Sequence, residues 1–124
     1  MAFKLGNRNN NPTHSRGVRV IETPLEGGEW AEARKDGTIA INSDKVDTSN
    51  KPLMKRIIKH EMKHMKDMQE GRADYGENWM YWDGKVYLRR EINGTNFIDG
   101  PNGRHPEGSH EHPWEQEAVE AETK

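Results

Sequence analysis

The stretch Asn50-Lys51-Pro52-Leu53-Met54-Lys55-Arg56-Ile57-Ile58-Lys59-His60-Glu61-Met62-Lys63-His64-Met65-Lys66-Asp67-Met68-Gln69-Glu70-Gly71 decides what fold this chain can form. Leu53, Ile57, His60, Glu61, His64 and Met68 recur at intervals of three and four, the period of one helix face. Met54, Ile58, Met62 and Met65 widen the apolar surface, and the methionines read as core packing. Lys51, Lys55, Lys59, Lys63 and Lys66 keep another flank in water. Asn50 can cap the first turn, where Pro52 is tolerated because its missing N–H would have no partner there. Gly71 stops the pattern, so the spacing predicts a helix of about five turns.

Within that helix stands His60-Glu61-Met62-Lys63-His64. Residues four apart share a face, so both imidazoles can reach one metal ion. Glu61 lies about 100° round from His60, close enough to address a water beside that ion without being a ligand. Zinc suits two neutral nitrogens and one carboxylate, leaving a fourth position for a water whose pKa falls towards ~7. Asp67 shares the face, but positions i, i+4 and i+7 extend over ~10 Å, too far for one small ion. It reads as a surface residue or an outer partner. The third ligand must come from elsewhere: Glu115, Glu117 and Glu120 near the C-terminus, or His105, His110 and His112 just before them.

Outward from the helix the period changes. Gly17-Val18-Arg19-Val20-Ile21-Glu22 alternates apolar with polar and predicts a strand ending before Pro24. A second strand is expected around Trp30–Arg34, and Lys35-Asp36-Gly37 turns the chain into a third, Thr38–Asn42. On the other side, Asn78–Trp82 and Lys85–Arg89 flank Asp83-Gly84, a two-residue hairpin signal. Closely spaced Gly and Pro make residues 93–112 read as a long loop, with His105, His110 and His112 as an exposed polar group within it. Pro113-Trp114-Glu115-Gln116-Glu117-Ala118-Val119-Glu120-Ala121 opens on proline and continues with helix formers, which predicts a short terminal helix. Residues 6–16 are polar and turn-rich with nothing to bury, and residues 1–16 read as a flexible arm before a single domain spanning 17–124.

Only 18 of the 124 residues are Leu, Ile, Val or Phe, below the roughly 20% at which independent folding becomes doubtful. Four Trp and three Tyr supply bulk; Trp79, Tyr81, Trp82 and Trp114 are expected in the core. The chain has no cysteine, so a staple for so lean a core must come from histidine or carboxylate ligation. A net charge of −2, from 19 basic and 21 acidic residues, argues against nucleic acid as a main partner. No apolar run approaches a membrane span, and the first residues lack the apolar stretch of a signal peptide. The expectation is a soluble protein that is not exported by that route.

The helix bearing His60-Glu61-x-x-His64, followed some fifty residues later by Trp114-Glu115-Gln116-Glu117-Ala118, resembles the gluzincin type of zinc metallopeptidase in the zincin superfamily. The short cysteine-free chain, with an aromatic hairpin between two helices, is also similar to minimal HExxH proteins encoded in tailed-phage genomes. In gluzincins the third ligand is a glutamate on a second helix with a small residue three positions later. Glu115 with Ala118 fits that spacing and Glu117 with Glu120 does not, so the resemblance gives the role to Glu115 and holds Glu117 in reserve.

The resemblance implies an α+β, minimal zincin-like fold: a small mixed or antiparallel sheet packed on the HExxH helix, a β-hairpin insertion and a short C-terminal helix. It implies hydrolysis of peptide bonds in a peptide or protein substrate, with Zn²⁺ on His60, His64 and Glu115 and Glu61 as general base. Thr38–Asn42 stands where zincins place the edge strand that pairs with an extended substrate. The larger lower subdomain of gluzincins has no counterpart, so a partner protein would complete the cleft or the enzyme would cut exposed, flexible segments. The transition-state donor stays open among His110, His112, Tyr75, Tyr81 and Tyr87. The alternative role is a non-catalytic, zinc-stabilised component of a phage particle or another assembly.

Overall fold

The computed structural model describes residues 2–3 and 18–124. In chain order these form β1 (Ala2–Phe3), β2 (Arg19–Thr23), a single 3₁₀ turn (Glu26–Gly28), β3 (Ala31–Ala33), β4 (Thr38–Asn42) and α1 (Lys51–Gln69). There follow β5 (Ala73–Tyr75), β6 (Trp79–Trp82), β7 (Lys85–Ile92), β8 (Thr95–Gly100), β9 (Gly103–Pro106) and α2 (Pro113–Ala121). The architecture is α+β, with two helices and two sheets.

Both ends of α1 are set by local chemistry. Asn50 Oδ1 accepts from Leu53 N at 3.1 Å, satisfying one of the donors that the first turn leaves without an intrahelical partner. At the other end Gly71 adopts φ 79°, a conformation that glycine reaches without steric cost. There Gly71 N donates to Met68 O at 3.2 Å and Arg72 N to Asp67 O at 2.9 Å, the paired bonds of a Schellman motif.

The first sheet has the order β1-β3-β4-β2 and is mixed. β3 and β4 form an antiparallel hairpin closed through Gly37, whereas β2 runs parallel to β4 and β1 parallel to β3. Thr38–Asn42 is therefore not an edge. Its backbone is paired on both sides, and all five residues are buried. The alternation in residues 17–22 marked a strand but could not tell which neighbour it would take, and β2 takes the outer side of β4. Residues 4–16 of the expected N-terminal arm lie outside the described residues; Ala2–Phe3 is the short strand beside β3.

The second sheet is an antiparallel meander, β5-β6-β7-β8-β9. The expected hairpin is its centre rather than an isolated insertion, and Asp83 and Gly84, both with positive φ, make its turn. The long loop expected over residues 93–112 is incorrect. Asn93 and Gly94 form a second turn with positive φ at both positions, and β8 and β9 extend the sheet beyond it. Only Phe97 and Ile98 are apolar in β8, so period-two alternation is too weak there to announce a strand. Arg89 closes this layer from within: its guanidinium meets Glu107 at 2.6 and 3.2 Å and donates to the carbonyls of Gly76 and Glu77, each at 3.2 Å.

Two apolar clusters meet along α1. Ala31, Ala33, Ile39, Ile41 and Val46 pack on Ile57 and Met65. Ala73, Tyr75, Met80, Trp82 and Ile98 pack around Trp114 of α2. Met68 touches both clusters, so the last turns of α1 join them. Trp82 and Trp114 are core as expected, whereas Trp79 and Tyr81 are only half-buried. Among the described residues no helix is long and apolar enough to cross a membrane.

Candidate metal centre

On α1 the face that packs inward carries His60, Glu61 and His64, and none of the three is exposed to solvent. One ligand atom from each lies within 4.8 Å of the others, a cluster that could hold a metal ion. The helix supplies this proximity by itself, since i and i+4 stack one turn apart and i+1 lies beside them.

α2 brings Glu115 to the same point. Pro113 stands in its first turn, and the amides of Glu115 and Gln116 each donate to the carbonyl of His112 at 3.0 Å. Trp114 anchors the start of the helix in the aromatic cluster. From there the enclosed Glu115 carboxylate spans both histidines: Oε1 is 2.9 Å from His60 Nε2, and Oε2 is 3.0 Å from His64 Nε2. Burial pushes the Glu115 carboxyl up, but the charge of His64 and the hydrogen bond to His60 outweigh it and hold the group at about 2.

The other residues singled out in the sequence lie elsewhere or are already engaged. Glu117 points to the opposite side of α2, where Arg72 grips it at 2.8 and 3.0 Å and Lys63 approaches to 3.3 Å. Glu120 is exposed on the last turn, and His110 is exposed before the helix. Asp67 is buried rather than on the surface, with Oδ1 accepting from Lys63 at 2.7 Å. His105 turns Nε2 to the carbonyl of Asn102 at 3.0 Å.

His112 is enclosed and stacked on Trp114, with ring centroids 4.6 Å apart and an interplanar angle of 10°. Its Nε2 faces the carbonyl of His105 at 3.2 Å, and burial lowers its pKa. A neutral, stacked ring of this kind props the start of α2. Gly100 makes room for it, since a Cβ there would lie 3.0 Å from His112 Nδ1. Tyr75 and Tyr87 join the aromatic cluster and Tyr81 stands on β6, so none of the three is brought to Glu61 by a described hydrogen bond.

One contact was not legible in the sequence. Glu122, just beyond α2, places Oε2 2.7 Å from His60 Nδ1 and Oε1 3.4 Å from Arg56 Nη2. It belongs to no motif, and only the docking of α2 along α1 brings it there.

The donor set fits a cation. A carboxylate can only accept, so the 2.7 Å contact with Glu122 puts a proton on His60 Nδ1. In a neutral ring that leaves a lone pair on Nε2, facing another acceptor, Glu115 Oε1, at 2.9 Å. Either a second proton on the ring or a metal ion between them resolves the conflict. Glu115 Oε2 also lies 3.0 Å from His64 Nε2, so the one carboxylate reaches both imidazoles. Glu61 has the opposite condition: both carboxylate oxygens are buried without a hydrogen-bond partner among the described residues. Burial drives its pKa well above the ordinary value, His60 opposes that rise and Glu115 adds to it. A buried polar group left in this state costs about 1–3 kcal/mol, and more when charged. Such a cost marks a functional candidate. No protein-family model, curated protein or solved structure matches this chain.

Proposed function

We propose that the protein is a zinc-dependent peptidase, with His60, His64 and Glu115 holding Zn²⁺ and Glu61 acting as general base. The observation that carries this reading is the enclosed Glu61 carboxylate, with no hydrogen-bond partner among the described residues, next to a converging pair of imidazoles and a carboxylate. A site whose only task is to hold metal has no use for that fourth group. Zinc, when bound, supplies Lewis acidity towards a scissile carbonyl and lowers the pKa of water.

The rest of the chemistry belongs to the chain. Glu61, on the turn between the two histidines, takes a proton from the attacking water on a carboxylate oxygen and returns it to the departing amine. Burial pushes the Glu61 pKa well above the ordinary carboxylate value, which favours its holding the proton between the two transfers. Glu115 comes from a different element, so the site forms only when α2 is docked, which couples the chemistry to the fold. The test is Glu61→Gln, which keeps the shape and removes the base. Peptide hydrolysis should fall by about 10²–10⁴-fold while zinc content stays at the wild-type level. Full peptidase activity in that variant would sink the assignment.

A second reading has its own support. His60, Glu61, His64 and Glu115 are all enclosed, so a peptide reaches them only if covering chain moves aside. That enclosure suits a zinc ion that staples a binding module, such as a virion or other assembly component. Under this reading Glu61→Gln leaves the biological role intact, and no peptide in a broad panel is cleaved by the wild type.

A further inference from the structure

Beyond Ala121 the chain does not leave the molecule. Glu122 caps α2 in a helical conformation, and the tail stays against α1, where Lys59 Nζ donates to the carbonyl of Lys124. The Glu122 side chain is only 10% exposed. One of its oxygens accepts from His60 Nδ1 at 2.7 Å, and the other faces Arg56, one turn earlier on the same helix, at 3.4 Å. The Glu122 contact places an acceptor at His60 Nδ1, where the ring's remaining proton would sit once Nε2 holds a metal ion. It also removes the ring's freedom to flip, since a flip would exchange the Nδ1 nitrogen for a carbon opposite a buried carboxylate.

We infer that Glu122 is a positioning residue for the metal centre: through His60 Nδ1 it orients Nε2 as a donor, with Arg56 steadying the carboxylate from outside. The inference rests on the zinc reading above and adds a residue to it. Outer carboxylates of this sort make an imidazole a better ligand, and their loss costs about 10–100-fold in metal affinity. The tail after α2 thus becomes part of the site.

The experiment uses the full chain and zinc alone, titrated in competition with a chromophoric chelator. Glu122→Ala should weaken zinc binding by about 10–100-fold. Glu122→Gln keeps an acceptor without the charge and should recover part of the loss, and Arg56→Ala should cost less than Glu122→Ala. Histidine ¹⁵N spectra of the zinc-loaded protein supply a readout that a merely structural role would not move. In the wild type the His60 Nδ1 proton should be protected from exchange with water by its bond to Glu122, and in Glu122→Ala that protection should be lost while the other ring signals and the circular dichroism stay unchanged.

Zinc affinity and His60 Nδ1-proton protection both unaltered in a folded Glu122→Ala protein would overturn this inference and leave the candidate metal centre standing. A wild type that binds no zinc would overturn both readings. Equal losses of affinity in Glu122→Ala and Glu122→Gln, with the His60 Nδ1 proton still protected in both, would reduce Glu122 to a surface tie and overturn it as well.

Discussion

Glu61 and Glu115 are both fully enclosed glutamates in one small volume, yet their surroundings push them apart. Glu115 has two imidazoles to face and is held at about 2, whereas Glu61 has no hydrogen-bond partner among the described residues and is pushed well above its ordinary value by burial. The divergence separates their roles: one is a permanent anion suited to a cation, the other a group that can carry a proton. Glu115→Ala should abolish stoichiometric zinc binding, while Glu117→Ala should retain it and lose only the ties to Arg72 and Lys63. Metal analysis of the two purified variants checks this, and equal retention in both would remove Glu115 from the ligand set. The sequence gives no sign of Glu122, because nothing in local spacing says which acidic residue of a polar tail will face a ring nitrogen 62 positions earlier.

Elements differ in how much of themselves they reveal. α1 was legible end to end because its period, cap and terminal glycine all agree, and α2 because proline and helix formers mark it. Asn50→Ala should cost about 1 kcal/mol of stability by removing the cap on Leu53 N, seen as a lower urea midpoint with an unchanged slope. The strands were legible where β-branched residues alternate, as in β2 and β4, and illegible in β8 and β9. The Asn93-Gly94 turn is a local hairpin signal, but the weak alternation of β8 hid the strand behind it, and the Arg89–Glu107 pair that fastens this end is a non-local contact no window contains. Glu107→Ala leaves the enclosed Arg89 guanidinium without its carboxylate and should cost about 3–5 kcal/mol, read by the same denaturation. A change within ±0.5 kcal/mol, as for ordinary surface substitutions, would show that the pair does not fasten the meander. Parallel pairing of β2 with β4 was equally hidden, since alternation reports a half-buried strand but not the direction of its neighbour.

Across the described residues, two modest apolar clusters share one helix, and the candidate metal centre lies where that helix meets α2. An ion held by both helices would be a crosslink between residues 55 positions apart in sequence. Because such an ion would bind only the assembled site, its binding free energy would add to stability, about 2.7 kcal/mol at a free concentration a hundred times Kd. Chelation should therefore lower the thermal midpoint and zinc should restore it; an identical midpoint with and without chelator would mean that the clusters suffice alone. Composition raised the question of a staple, and the HExxH spacing pointed to two of its three candidate ligands. That Glu115 comes to lie beside them depends on how α2 packs, which the resemblance anticipated and residue spacing could not.

The most direct measurement is zinc stoichiometry by mass spectrometry on the purified wild type beside Glu61→Gln and Glu115→Ala. Near-stoichiometric zinc in the wild type and in Glu61→Gln, with loss in Glu115→Ala, is the expected result. A folded wild type that takes up no zinc when it is supplied would contradict the metal centre and, with it, the peptidase reading.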